Sequence, residues 1–123
     1  MRLDHVNLRT TRLEAMVAWY RDVVGLSEGW RPPFAFPGAW LYAGEHAIVH
    51  VIAVEADPAD ATDLKLEHFA LSTDDPEGLR RRMATHGVEG VERAVPGSDI
   101  VQINLRDPDG NHLHIDFRTG SAV

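Results

Sequence analysis

A chain of 123 residues, 44% apolar and 25% charged, has the length and composition of one modest globular domain. Its formal charge of −7 lacks the basic face that nucleic acid requires, and no apolar run reaches membrane length, so neither partner is expected. Without cysteine there is no disulfide, thiolate metal site or cysteine nucleophile, and any metal is held by nitrogen and oxygen. The start Met1-Arg2-Leu3-Asp4-His5 reads into a strand rather than a signal peptide, and a cytoplasmic location is expected.

Residues 3–9 alternate, with Val6 and Leu8 on one face and His5, Asn7 and Arg9 on the other, which predicts a strand. Leu13, Met16, Val17, Tyr20, Val23 and Val24 then recur at helical spacing. Thr11 and Glu14 have the spacing of a capping box, and Gly25 is the expected stop. Residues 26–38 predict a strand running into a loop rich in proline and aromatics. Strands follow at 40–42 and 46–54, the second with His46, Ile48, His50 and Ile52 on one face. The acidic stretch 55–64, with Pro58, predicts a linker. Beyond it the sequence predicts a strand at 65–72, a helix from Pro76 to His86 and a short strand near 91–94. A strand at 99–106 and a turn at Asp107-Pro108-Asp109-Gly110 follow, then a strand at 111–117 and a loose tail. In the last strand Leu113, Ile115 and Phe117 oppose His112, His114 and Asp116.

The two halves repeat. Leu3-Asp4-His5-Val6-Asn7-Leu8 matches Leu66-Glu67-His68-Phe69-Ala70-Leu71, and 45 residues separate His5 from His50 where 46 separate His68 from His114. The reading is strand–helix–strand–strand–strand twice: residues 1–54, the linker, then 65–118. The apolar strand faces are expected under the two helices. The polar faces, with histidines at matching places, are expected to line the concave side of a curled sheet.

These residues resemble the vicinal oxygen chelate superfamily, which includes glyoxalase I, extradiol dioxygenases, fosfomycin-resistance enzymes and bleomycin-binding proteins. The resemblance rests on Leu3-Asp4-His5 with Trp19-Tyr20-Arg21-Asp22-Val23-Val24-Gly25-Leu26, on Glu67-His68-Phe69-Ala70-Leu71, and on Asp107-Pro108-Asp109-Gly110. It implies an α+β fold of two βαβββ modules forming a cupped, mostly antiparallel sheet with helices on its convex side, often as a homodimer. It also implies metal positions at His5, His50, His68 and His114. Glyoxalase I-like members have glutamate where His50 and His114 stand.

Four imidazoles suit zinc, iron or nickel better than magnesium or calcium, which prefer oxygen. Asp116 lies roughly 7 Å along the strand from His114, where it can be a ligand, a partner of a ligand or a general base. Arg9, Gln102, Asn104 and His112 are candidate substrate contacts. Trp30, Phe34 and Trp40, in the aromatic stretch 30–42, are candidates for selecting an apolar or aromatic substrate, with dimer or core packing as the other reading. His86 is expected at a helix end, Glu67 as a surface carboxylate facing away from His68, and Arg80-Arg81-Arg82 as a solvated helix face. The functional expectation is a metal-dependent enzyme of glyoxalase or dioxygenase type on a small oxygen-bearing substrate. The alternative is a metal-free binder of a drug or aromatic ligand, as in bleomycin resistance.

Overall fold

A computed structural model describes residues 1–59 and 63–120. Parts of the expected linker (60–62) and tail (121–123) lie outside the described residues. The chain divides into two compact units, Met1–Asp60 and Ala61–Val123. The first contains β1 (Val6–Thr10), α1 (Leu13–Trp19) continued by a π-helical turn (Tyr20–Val24), β2 (Ser27–Gly29), β3 (Gly38–Ala43) and β4 (His46–Ala53). The second contains β5 (Phe69–Ser72), α2 (Pro76–Thr85), β6 (Val91–Ala94), β7 (Ile100–Arg106) and β8 (His112–Arg118). The sheets run β1-β4-β3-β2 and β5-β8-β7-β6. In each, the first strand is parallel to the last and the other two pairings are antiparallel. The fold is α+β, a βαβββ module used twice.

In the first module Met16, Val17, Tyr20, Val23 and Val24 are buried, one stripe of a helix. The sheet contributes Ala39, Leu41, Val49 and Val51, paired in register as Ala39 with Val51 and Leu41 with Val49. Gly25 ends the helix at φ 94°, and its N–H and that of Leu26 both donate to the Tyr20 carbonyl. The start of α1 differs from the expected capping box. Arg12, not Thr11, holds the cap position and makes no side-chain bond there, while the Thr11 hydroxyl, one residue earlier, donates to Asp57 at 2.7 Å. Thr10, fully buried, accepts the Arg12 N–H.

In the second module Leu79 and Met83 of α2 are buried, as are Ile103, Leu105, Leu113 and Ile115 of the sheet. Asp75 caps α2 by accepting the Gly78 N–H at 3.0 Å, ahead of Pro76. Of the arginine run, Arg80 is tied down rather than solvated. It bonds Glu92 of β6 and Glu77, each at 2.7 Å, and lies 5.1 Å over the Phe117 ring. The strands expected at 3–9 and 65–72 begin later, at Val6 and Phe69. Leu3 and Leu66, at equivalent places, are each 75% exposed, so no core packing holds these residues in the sheet.

Candidate functional site

The turn before β8 sets the phase of the site. The buried Asp107 carboxylate accepts the backbone N–H of Asp109 and of Asn111 and the Asn111 side-chain amide, at 2.9–3.0 Å. Gly110, at φ 84°, donates to the Asp107 carbonyl. From this anchor β8 sends Leu113, Ile115 and Phe117 into the core and His112, His114 and Asp116 to the other face. His114 is only 6% exposed.

His68, just before β5, brings its ring to 4.5 Å from His114 and 5.1 Å from His112. Each imidazole has a carboxylate partner. Glu67 bonds Nδ1 of His68 and Nδ1 of His112, the latter at 3.1 Å, and Asp116 bonds Nδ1 of His114 at 2.5 Å. Asn104 holds Nε2 of His112 at 2.9 Å. The bond to His68, then that to His112, lowers the Glu67 pKa below the usual glutamate value. Ligand-capable atoms of Glu67, His68 and His112 all lie within 4.8 Å of one another. Glu67 is therefore no idle surface carboxylate. β5 starts only at Phe69, so strand alternation does not turn Glu67 away from His68. The signal was present in the sequence as the repeated acid–histidine pair, Asp4-His5 and Glu67-His68.

The first module arranges its histidines differently. Asn7, His50 and Trp40 form a cross-strand row, and the His50 ring stacks on His5 at 3.8 Å and on Trp40 at 4.1 Å, tilted by 11° and 12°. The lone pairs of stacked rings run in near-parallel planes and do not meet at a point between them. Asp4 accepts from His5 Nδ1 at 2.7 Å and lies 3.0 Å from His46, and the His5 bond lowers its pKa. Burial, followed by the nearby His5, lowers the His50 pKa from its usual 6.5, which favours the neutral ring.

Of the remaining candidates, Arg9 is exposed and pairs in register with Ile52, and Gln102 lies opposite Asp116. Asp116 also lines an open depression of about 780 Å³ with Ser72, Thr73, Ile100 and Arg118. Trp30, 70% exposed, meets Trp40 edge-on at 5.9 Å, and its carbonyl accepts the Tyr42 hydroxyl. Phe34 and Phe36 stack at 5.1 Å beside Trp40. With Asn7, Arg31 and His50, these rings line a cavity of about 150 Å³. Arg31 is the one charge in residues 30–42, and its place among five aromatic rings is the sequence signal for it.

A βαβββ module used twice, with an acid–histidine pair ahead of each first strand, defines a duplicated-module α+β fold in which each module carries a histidine-bearing sheet face. The family model described as the Glyoxalase/Bleomycin resistance protein/Dioxygenase superfamily matches residues 2–115, and the chain belongs to that superfamily. Solved structures agree in fold. A glyoxalase family protein from Bacillus anthracis is 19% identical, with 97% of this chain and 96% of that one covered and a TM-score of 0.76. A glyoxylase/bleomycin resistance protein/dioxygenase domain from Frankia sp. EAN1pec is 21% identical, with 98% and 95% covered and a TM-score of 0.76. A lactoylglutathione lyase from Agrobacterium tumefaciens is 21% identical, with 92% and 90% covered and a TM-score of 0.64. No curated protein is significantly similar in sequence. Among the described residues no helix is long and apolar enough to cross a membrane.

Proposed function

We propose that this chain is a metal-dependent enzyme of glyoxalase or dioxygenase type acting on a small oxygen-bearing substrate, its ion held in the second module. The observation that carries this reading is the convergence of Glu67, His68 and His112 within 4.8 Å. Two imidazoles and a carboxylate suit iron, zinc or nickel. Such an ion, when bound, acts as a Lewis acid toward substrate oxygen. The protein supplies the proton chemistry. Asp116 holds Nδ1 of His114, which leaves Nε2 to accept a proton from substrate beside His68. Asn104 fixes the His112 ring through its other nitrogen.

The test is calorimetric titration of metal-stripped protein with Fe²⁺, Zn²⁺ and Ni²⁺. One equivalent is expected to bind. Glu67→Gln and His112→Ala are each expected to weaken it by roughly 10–100-fold, whereas His5→Ala and His50→Ala leave it unchanged. Equal losses in the His5 and His50 variants make the ion a ligand of the symmetric quartet instead. No stoichiometric binding by any of the three ions overturns the metal reading. A second reading, a metal-free binder of a small aromatic molecule, draws on the Phe34, Trp40 and His50 walls of the first module.

A further inference from the structure

We propose that the first module holds a slot for a monocyclic aromatic carboxylate, its ring among Phe34, Phe36 and Trp40 and its carboxylate on Arg31. The inference rests on the second reading above, a small aromatic molecule held by the first module, and not on the metal. The cavity of about 150 Å³ has the size that accommodates one six-membered ring. Its lining is mostly aromatic and aliphatic: Phe34, stacked on Phe36 at 5.1 Å, lies 6.5 Å from Trp40, itself backed by His50, and Val51 and Ile52 complete it. Phe34 and Phe36 are 46% and 43% exposed, although burial is the usual state of such side chains.

Arg31 supplies the charge. Its guanidinium lies 4.9 Å from the Phe34 ring and 5.0 Å from the Phe36 ring, and one of its N–H groups donates to the Phe36 carbonyl at 3.1 Å. Among the described residues no carboxylate pairs with it, unlike Arg21, Arg80 and Arg118. A guanidinium has five donors, so a fork remains for an incoming anion. Gly38 makes room beneath it, since a Cβ there would stand 2.8 Å from Arg31 Nη2. Asn7 adds a polar residue to the lining. A largely apolar enclosure of one-ring size beside a planar cation with no carboxylate partner among the described residues matches a ring bearing a carboxylate. A bare ring would leave the cation unpaired, an amine would be repelled, and an inorganic anion would leave the walls unused.

Metal-free protein is titrated with benzoate, benzyl alcohol, cyclohexanecarboxylate, benzylamine and inorganic phosphate, followed by tryptophan fluorescence and calorimetry. Benzoate is expected to saturate at one equivalent. Benzyl alcohol and cyclohexanecarboxylate bind at least roughly tenfold more weakly, and benzylamine and phosphate do not saturate. Arg31→Gln keeps a donor for the Phe36 carbonyl but loses the charge; it is expected to weaken benzoate at least roughly tenfold and to leave benzyl alcohol unchanged. Arg31→Lys, a second variant with the charge retained and the fork lost, falls between. Circular dichroism confirms folding of both. The slot is overturned by absence of saturable benzoate binding, by equal binding of phosphate, or by full benzoate affinity in Arg31→Gln. Because no metal is present, failure here leaves the metal reading standing, and absence of metal binding leaves the slot standing.

Discussion

Three donors converge on the buried Asp107 carboxylate, and each would be left short of a partner without it. Asp107→Ala is therefore expected to cost about 2–3 kcal/mol in a denaturant titration, and Asp107→Asn less, since an amide keeps one acceptor oxygen. Metal affinity should fall in parallel, because the same turn sets which way His112 and His114 point. Pro108 and Gly110 made the turn legible in the sequence, and alternation made the polar face of β8 legible. What sequence could not reveal was the partner of each polar atom. Glu67 looked like a surface acid because its role depends on two imidazoles, one adjacent and one 45 residues on, meeting the same carboxylate. Likewise His5 and His50 were readable as neighbours, but not as a stack with Trp40.

Elements were more legible than their ends. The sequence placed both helices and each of the eight strands found among the described residues, whereas β1 and β5 begin three and four residues later than alternation predicts. Termini depend on local detail, as when the cap position of α1 falls on Arg12, one residue after the expected Thr11. Two glycines show how tightly elements are set. A Cβ on Gly38 would lie 2.4 Å from the Val51 carbonyl, which belongs to the paired strand and cannot step aside. One on Gly90 would meet the tips of Met83, Ile103 and Leu105 at 2.7–3.0 Å. Gly38→Ala is expected to cost about 1–3 kcal/mol, and Gly90→Ala less, because methionine repacks. The Arg80–Glu92 pair ties α2 to β6, and the bond to Arg80 lowers the Glu92 pKa below its usual 4.5. Near and below pH 4.5 the unfolded chain binds more protons at Glu92, so this stabilisation is present above that pH and is lost on further acidification. Both side chains are more than a third exposed, so the effect is on the order of 0.5 kcal/mol and shrinks in salt. Thermal melts from pH 6 to pH 3 should show a slightly smaller loss in Glu92→Gln than in the parent.

At the scale of the whole chain the net charge of −7 acts on the two proposed ligands in opposite senses. A divalent cation is drawn by this field and an aromatic carboxylate is held off by it until it reaches Arg31. Raising ionic strength from about 0.01 M to 0.1 M shortens the screening length from about 30 Å to about 10 Å. Stopped-flow association of metal should therefore slow with salt and that of benzoate should quicken; the same trend for both would show that local charges dominate. The duplicated topology carries a consequence for how the chain is assembled. In each module the last strand made, β4 or β8, is an interior strand bonded on both sides, while the first, β1 or β5, stands at the end of its module's strand order, next to β4 or β8. Until residue 46 or 112 emerges during synthesis, the opening strand has no parallel mate and the hairpin behind it is only half a sheet. Each module thus closes from its end backward, over a loop of about forty residues, and its first acid–histidine pair waits for the final strand before it has a site to belong to.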